Sequence, residues 1–227
     1  MNILTILFDI DGTLTTSSGA GAGAMETTVE QLFSISAIPD IPMHGRTDNG
    51  ILHELFTAID VEHDGTFDQF NQQYCLNLPG SLKDRNARLL PGVRPLLEEL
   101  AGLEHVELGL LTGNMKQAAE IKLRHVGIDH YFAFGGYGDL HADRNHVAEE
   151  AVQNARDAIG DRYSPEHLWV IGDTANDIRC ARHVGAKVVA VETGGATAEA
   201  LQAAGPDVQI QDLTDAKAWL NQLKLRA

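Results

Sequence analysis

Cysteine is scarce in this sequence of 227 residues: Cys75 and Cys180 are the two, far apart and in no CxxC arrangement. That excludes a disulfide framework and a thiolate zinc site, and it suits a reducing compartment with both thiols buried as small apolar groups. Basic residues are few as well. Lys and Arg number 17 against 32 Asp and Glu, a formal charge of −15, so nucleic acid and anionic membrane surfaces would be repelled. A small anionic substrate is not barred, because the field inside a site can oppose the charge of the whole. No apolar run reaches the length of a bilayer-crossing helix. The start, "MNILTILFDID", carries no basic segment and meets Asp9 too early for a signal peptide. The expectation is a soluble, cytoplasmic protein. Internal repeats are lacking.

What is present is ordinary globular composition, 44% hydrophobic and 22% charged. From Pro91 onward, strand-like runs ("VELGLLT", "YFAFGG", "LWVIGD", "KVVAVETGG", "DVQI") alternate with helical patterns. The helices fall in "PGVRPLLEELAGL", "NMKQAAEIKLRHVG", "RNHVAEEAVQNARDAIG", "ANDIRCARHVG", "ATAEALQAAG" and "TDAKAWLNQL". Such alternation with short links predicts an α/β fold, a Rossmann-like parallel sheet with helices on both faces. It would be built from residues 1–15 and 90–227. Between them no convincing strand appears. A flexible stretch, "TTSSGAGAGAME", flows into a helix marked by Met25, Val29, Leu32 and Phe33. "IPDIPMHGRTDNG" reads as a loop, and "ILHELFTAI" and "FDQFNQQYCLNL" read as helices. Residues 16–89 are therefore expected to form a small all-helical domain.

Open parallel sheets bind ligands beyond the carboxyl ends of their strands. In "LFDIDGTLTT", Asp9 and Asp11 follow the apolar run Ile3 to Phe8, where ionised carboxylates are costly unless compensated. Thr112, Gly113 and Asn114 follow "VELGLL"; Asp173 and then Asp177 follow "LWVIG"; Arg144 comes after "YFAFGG" and "YGDLHAD". Crowded carboxylates repel, so a cation binds or protons stay. A donor set of oxygen alone favours Mg²⁺. Thr112 and the backbone N–H groups opening the next helix would make an anion-binding corner. A cation, a carboxylate nucleophile, an anion cradle and an Arg compose a phosphoryl-transfer site, with Asp9 attacking phosphorus and Asp11 handling the proton.

"DIDGTL", "LLTGN" and "VIGDTANDIRCA", in this order, resemble the haloacid dehalogenase-like hydrolase superfamily, and "GAKVVAVETGG" extends the likeness. The likeness covers the whole sheet region and is closest to the phosphoglycolate phosphatase-like branch. Residues 16–89 then resemble the family's helical cap domain. The resemblance implies a Mg²⁺-dependent phosphatase acting on a small phosphate ester, phosphoglycolate first among candidates, as a monomer or homodimer. It implies Asp9 as the nucleophile that becomes an aspartyl phosphate. Asp11 would be general acid and then base, its backbone carbonyl a metal ligand. Thr112 would hold the transferring phosphoryl group, with Gly113 and Asn114 beside it. Asp173 would ligate the metal directly and Asp177 largely through water or hydrogen bonds. The family's third motif is most often Lys, and Lys122 and Arg144 are the candidates. Lys122 lies roughly 12 Å past Asn114 along its helix. Arg144 opens a helix on the active edge and can bridge phosphate and carboxylate, so Arg144 is favoured.

Some residues carry two readings. Asn114 either caps its helix or touches phosphate, and Asp143 caps the helix that Arg144 enters. Ser17 and Ser18, with "SSGAGAGA", suit a hinge. His44 and Arg46 in "MHGRTDNG" are candidates for selecting the leaving group, Arg46 fitting an acidic one. Among alternative functions, a phosphosugar mutase would share the aspartyl phosphate. A dehalogenase would not need Asp11, and a phosphonate hydrolase would need a Schiff-base lysine where the insertion has Lys83 alone. A receiver-like signalling module lacks "GDTxxD", and a silent scaffold would be expected to have lost Asp9 or Asp173.

Overall fold

The computed structural model describes residues 2–215. Its centre is β1 (Ile3–Phe8), six residues buried along their whole length. Alternation sends Leu4, Ile6 and Phe8 to one face and Ile3 and Leu7 to the other, the period-2 geometry of a strand covered on both sides. The first face packs on α4 (Val93–Ala101) and α5 (Lys116–His125). The second packs on α6 (Arg144–Ile159), α7 (Ala175–His183) and α8 (Ala198–Ala204).

The other strands of the sheet are β4 (Val106–Leu111), β5 (Phe134–Gly136), β6 (Tyr163–Gly172), β7 (Lys187–Val191) and β8 (Val208–Ile210). All pair in parallel, in the order β5-β4-β1-β6-β7-β8. The expected α/β sheet with helices on both faces is thus present. From β1 the chain builds outward through β4 and β5, then crosses to β6 on the opposite side. The order reverses between β1 and β6, and a crevice at such a reversal is where open sheets hold ligands. Asp9 and Asp173 follow these two strands.

The segment between β1 and α4 leaves and returns through a two-stranded antiparallel ribbon, β2 (Thr15–Thr16) with β3 (Arg88–Leu89). Both strands lie at the margins of the region expected to lack strand, and they close off a helical group. That group is α1 (Ala20–Phe33), α2 (Asp48–Ala58) and α3 (Thr66–Asp84). Val29, Leu52, Phe56, Phe70 and Leu78 form its own apolar cluster, which extends to Met115 and Ala118 at the start of α5.

Three local expectations are corrected. The small-residue stretch is mostly helix, since α1 begins at Ala20; the bend narrows to Ser18 and Gly19, with φ of 47° and 79°. Gly21 and Gly23 serve close packing, for a Cβ on Gly21 would stand 3.3 Å from the Tyr74 hydroxyl and one on Gly23 2.6 Å from the Arg85 guanidinium. The loop before α2 is shorter than its composition suggests. Thr47 caps that helix, accepting from the Gly50 N–H, which turns Asp48, Asn49 and Gly50 into its first turn. α3 continues through Pro79. The helix expected in "TDAKAWLNQL" falls outside the described residues apart from its first two. Both cysteines are buried and unpaired. Among the described residues no helix is long and apolar enough to cross a membrane.

Candidate active site

Past Phe8 the Asp9 N–H still donates to Ile171 O at 3.0 Å, carrying the ladder of β1 and β6 one residue further. The chain then folds back, with the N–H groups of Leu14 and Thr15 both returning to Ile10 O at 2.9 Å. Gly12 takes φ +85°, and a Cβ there would run into the Asp173 carboxylate. A Cβ on Gly194 would collide with the same carboxylate. Two glycines therefore make the space in which Asp173 sits.

Asp9, Asp173 and Asp177 place one oxygen each within 4.8 Å of one another, all buried. Burial first, then neighbouring carboxylates, raise the acids: Asp9 to about 7, with Arg144 opposing, and Asp173 to about 8. A hard divalent cation fits this set, because it would take carboxylate oxygens as ligands and relieve their repulsion. Asp9 and Asp173 line the cavity and are the residues that would hold it directly. Asp177 is fully buried with both oxygens engaged. One accepts from Arg144 Nη2 at 2.5 Å, and the other accepts the Thr174 N–H at 2.9 Å and hydroxyl at 2.6 Å in a capping box. Asp177 does not line the cavity.

Both candidate cations reach the site. Arg144 opens α6, is 3% exposed, and lies 3.4 Å from Asp9 Oδ1 besides its bond to Asp177. Asp143 caps that helix, as expected, accepting from the Asn145 N–H. The distance argument against Lys122 fails. Its Nζ donates to Asn114 Oδ1 at 2.6 Å and to Asp11 Oδ2 at 2.5 Å. Helical side chains lean toward the N-terminus, so a long Lys recovers the rise that separates its backbone from Asn114. Burial alone would raise the Asp11 carboxyl, but the Lys122 charge and the bonds from Lys122, Asn114 and Ser17 bring it below its ordinary value. The free site thus presents Asp11 ionised.

The proposed anion corner is also corrected. The N–H groups of Met115 and Lys116 already donate, each at 2.8 Å, to Asp48 Oδ2 and Asp139 Oδ2. Thr112 lies behind the wall rather than on it, accepting from the Asn114 N–H at 3.2 Å and side-chain amide at 2.8 Å. Asn114 does not cap α5. Its amide bridges Thr112 and Asp11, and its oxygen accepts from Lys122.

The loop carrying His44 and Arg46 docks on the sheet region. Gly113 O accepts the Asp48 N–H at 2.7 Å, and Gly138 O accepts the Asn49 N–H at 3.0 Å. The Thr47 hydroxyl donates to Ala142 O at 3.1 Å, and Asn176 Nδ2 to Gly45 O at 2.7 Å. A Cβ on Gly113 would collide with Arg46 O, so Gly113 is there for this approach. The Arg46 guanidinium is spent locally, on Pro42 O, Gly50 O and Glu54. His44 is exposed at the cavity mouth beside Gly195.

The result is a cavity of about 430 Å³ between sheet and helical segment. Asp9, Asp11, Asn114, Lys122, Arg144 and Asp173 line one end, and residues of 17–51 with Tyr74 line the other. Sequence reasoning missed Asp48 and Tyr74. An Asp in a first helical turn reads as a dipole partner and a Tyr on an apolar stripe as core, so neither stood out.

The sequence pattern of the haloacid dehalogenase-like hydrolases matches residues 6–191. Pyrophosphatase PpaX of Oceanobacillus iheyensis is 25% identical over 225 residues, covering 95% of each chain. Phosphoglycolate phosphatase of Nitrosococcus oceani is 27% identical, covering 96% of each. The solved structure of a haloacid dehalogenase-like family hydrolase from Streptococcus pneumoniae superposes with a TM-score of 0.66 at 23% identity, covering 96% of this chain and 98% of that one. With motif order, sheet topology and acidic crevice all in agreement, the chain belongs to the haloacid dehalogenase-like hydrolase family.

Proposed function

We propose that the chain is a Mg²⁺-dependent phosphatase that hydrolyses a small phosphomonoester through an aspartyl phosphate on Asp9. The observation that carries the reading is Asp9 on the cavity wall, 3.4 Å from Arg144, with Asp11 two residues on and bonded to Lys122 at 2.5 Å. A nucleophile, an acid/base and two cations for the charge of a phosphoryl group therefore share one small space.

In this reading an Asp9 oxygen attacks phosphorus as the bond to the ester oxygen breaks. The bonding pair leaves with that oxygen, which takes the Asp11 proton. Asp11 is ionised in the free site, and a phosphate dianion arriving beside it raises its pKa and lets it enter the step protonated. In the second half Asp11 accepts a proton from water as water attacks phosphorus. The bond between phosphorus and Asp9 breaks, inorganic phosphate leaves, and the carboxylate is restored. Arg144, fixed by Asp177, and Lys122 stay beside the charge throughout, and Asn114, braced by Thr112, holds Asp11 in line. Bound Mg²⁺, held by Asp9, Asp173 and the Asp11 carbonyl, would supply screening of the phosphoryl charge against the carboxylates. Residues 16–89 act as the cap over residues 1–15 and 90–227, excluding water from the phosphoryl group.

The names of the relatives differ, a glycolate ester in one and an anhydride in the other, but both describe cleavage of a phosphorus–oxygen bond. The test is phosphate release from a panel of phosphomonoesters, with and without Mg²⁺, beside Asp9→Asn. Metal-dependent release lost in the variant is expected; release that persists in Asp9→Asn would overturn the nucleophile.

A further inference from the structure

Tyr74 in α3 is 1% exposed, yet it lines the cavity. Among the described residues its hydroxyl bonds no protein group, although buried tyrosine hydroxyls ordinarily find a partner. It faces Gly21, as Lys122 Nζ does, and glycine there leaves that corner open. Burial and the charges of Asp48 and Asp11 hold its pKa far above the ordinary value, so it remains a neutral donor. Around it Met25, Ile41 and Ile51 give the cap end of the cavity an apolar surface.

The ammonium and guanidinium groups on the lining are Lys122, Arg144 and Arg46, and each is paired with a carboxylate: Asp11, Asp177 and Glu54. Asp40 and Asp48 add two further carboxylates on the lining. A second anionic group on the leaving alcohol would meet Asp40 and Asp48 on this lining, where among the described residues no ammonium or guanidinium is left unpaired.

From this arrangement we infer that the cap end is a leaving-group subsite for an uncharged, hydroxyl-bearing alcohol. Its hydroxyl bonds Tyr74 Oη, and its carbon face lies on Met25, Ile41 and Ile51. The inference rests on the phosphatase reading and narrows its substrate to esters without a second negative charge. Phosphoglycolate and pyrophosphate fall outside that class.

The test compares kcat/KM of the full chain with Mg²⁺ on glycerol 3-phosphate, n-propyl phosphate, phosphoglycolate and pyrophosphate. Glycerol 3-phosphate is expected to exceed the two doubly anionic compounds by about tenfold or more, the discrimination that one satisfied polar contact against unpaired charge supports. Tyr74→Phe is expected to raise KM for glycerol 3-phosphate about tenfold, the worth of one hydrogen bond, and to raise KM for n-propyl phosphate much less. Preference for phosphoglycolate or pyrophosphate overturns the subsite and leaves the phosphatase reading standing. So does a Tyr74→Phe effect that is absent or equal on both neutral esters. Failure of all four compounds with the folded, metal-loaded protein overturns both readings together. The wild-type ranking decides the question of charge without any variant.

Discussion

Lys122 Nζ rests 2.5 Å from Asp11 Oδ2, an ammonium from the second turn of α5 on the carboxyl that follows the nucleophile by two residues. The pair sets the charge of Asp11. Lys122→Met removes the cation that depresses this acid, so its pKa rises toward the value that burial favours. The alkaline limb of the pH profile of kcat/KM, where Asp11 loses the proton it gives the leaving oxygen, is expected to move to higher pH, and the rate at pH 7 to fall roughly 100-fold. An unmoved alkaline limb would detach Asp11 from the titrating step.

Asp9 and Asp173, raised to about 7 and about 8, give the metal-free protein an unusual pH dependence. The native state keeps protons on these acids that the unfolded chain releases near pH 4. Between those values the native state binds more protons, so stability falls as pH rises. Metal-free protein is expected to melt at a lower temperature at pH 8 than at pH 6. Mg²⁺ should raise Tm more at pH 8, and its binding should release protons, which calorimetry in buffers of different ionisation enthalpy measures. A Mg²⁺ affinity that is flat from pH 6 to pH 8 would contradict the assignment.

Arg144 neutralises Asp177 in the interior, at 3% and 0% side-chain exposure. Arg144→Met leaves that carboxylate buried without a counter-charge, a loss of about 3–5 kcal/mol. Thermal or urea unfolding of the variant checks it. The double variant with Asp177→Asn is expected to recover stability but not activity.

Asp48 ties the helical segment to α5 through the Met115 N–H at 2.8 Å. Asp48→Ala removes the acceptor, and exchange of the Met115 amide hydrogen is expected to accelerate about tenfold, the worth of one hydrogen bond. Asp48→Asn keeps an oxygen in place and should retain most of the protection. Burial lifts the Asp48 carboxyl to about 6, so its ionisation opposes the folded state. That contribution to stability is present below pH 4 and is lost as pH rises through about 6.

The sequence made the sheet legible because strand and helix periods alternate with short links from Pro91 on, and acids at the ends of β1 and β6 mark the crevice. It misjudged Lys122 because helical rise measures backbone separation and takes no account of a long side chain leaning back. The anion corner at α5 was misread for a tertiary reason: Asp48 arrives from a segment 67 positions away and occupies an N–H that looked free. Tyr74 stands on an apolar helix face, where periodicity describes a core residue and cannot show that the neighbouring glycine leaves its hydroxyl facing a void. Gly21 and Gly23 looked like flexibility, and only the partners across the helix identify them as contacts.

The apolar cluster of the helical segment does not stop at the ribbon that joins it to the sheet. Met115, just before the helix that carries Lys122, and Ala118 within it are part of the cluster. The helical segment is therefore not an interchangeable attachment. A chimera that takes residues 16–89 from a relative would set unfamiliar side chains against the helix supplying the acid's counter-ion. Transplanting selectivity within this fold consequently requires moving the near end of α5 along with the helices above it.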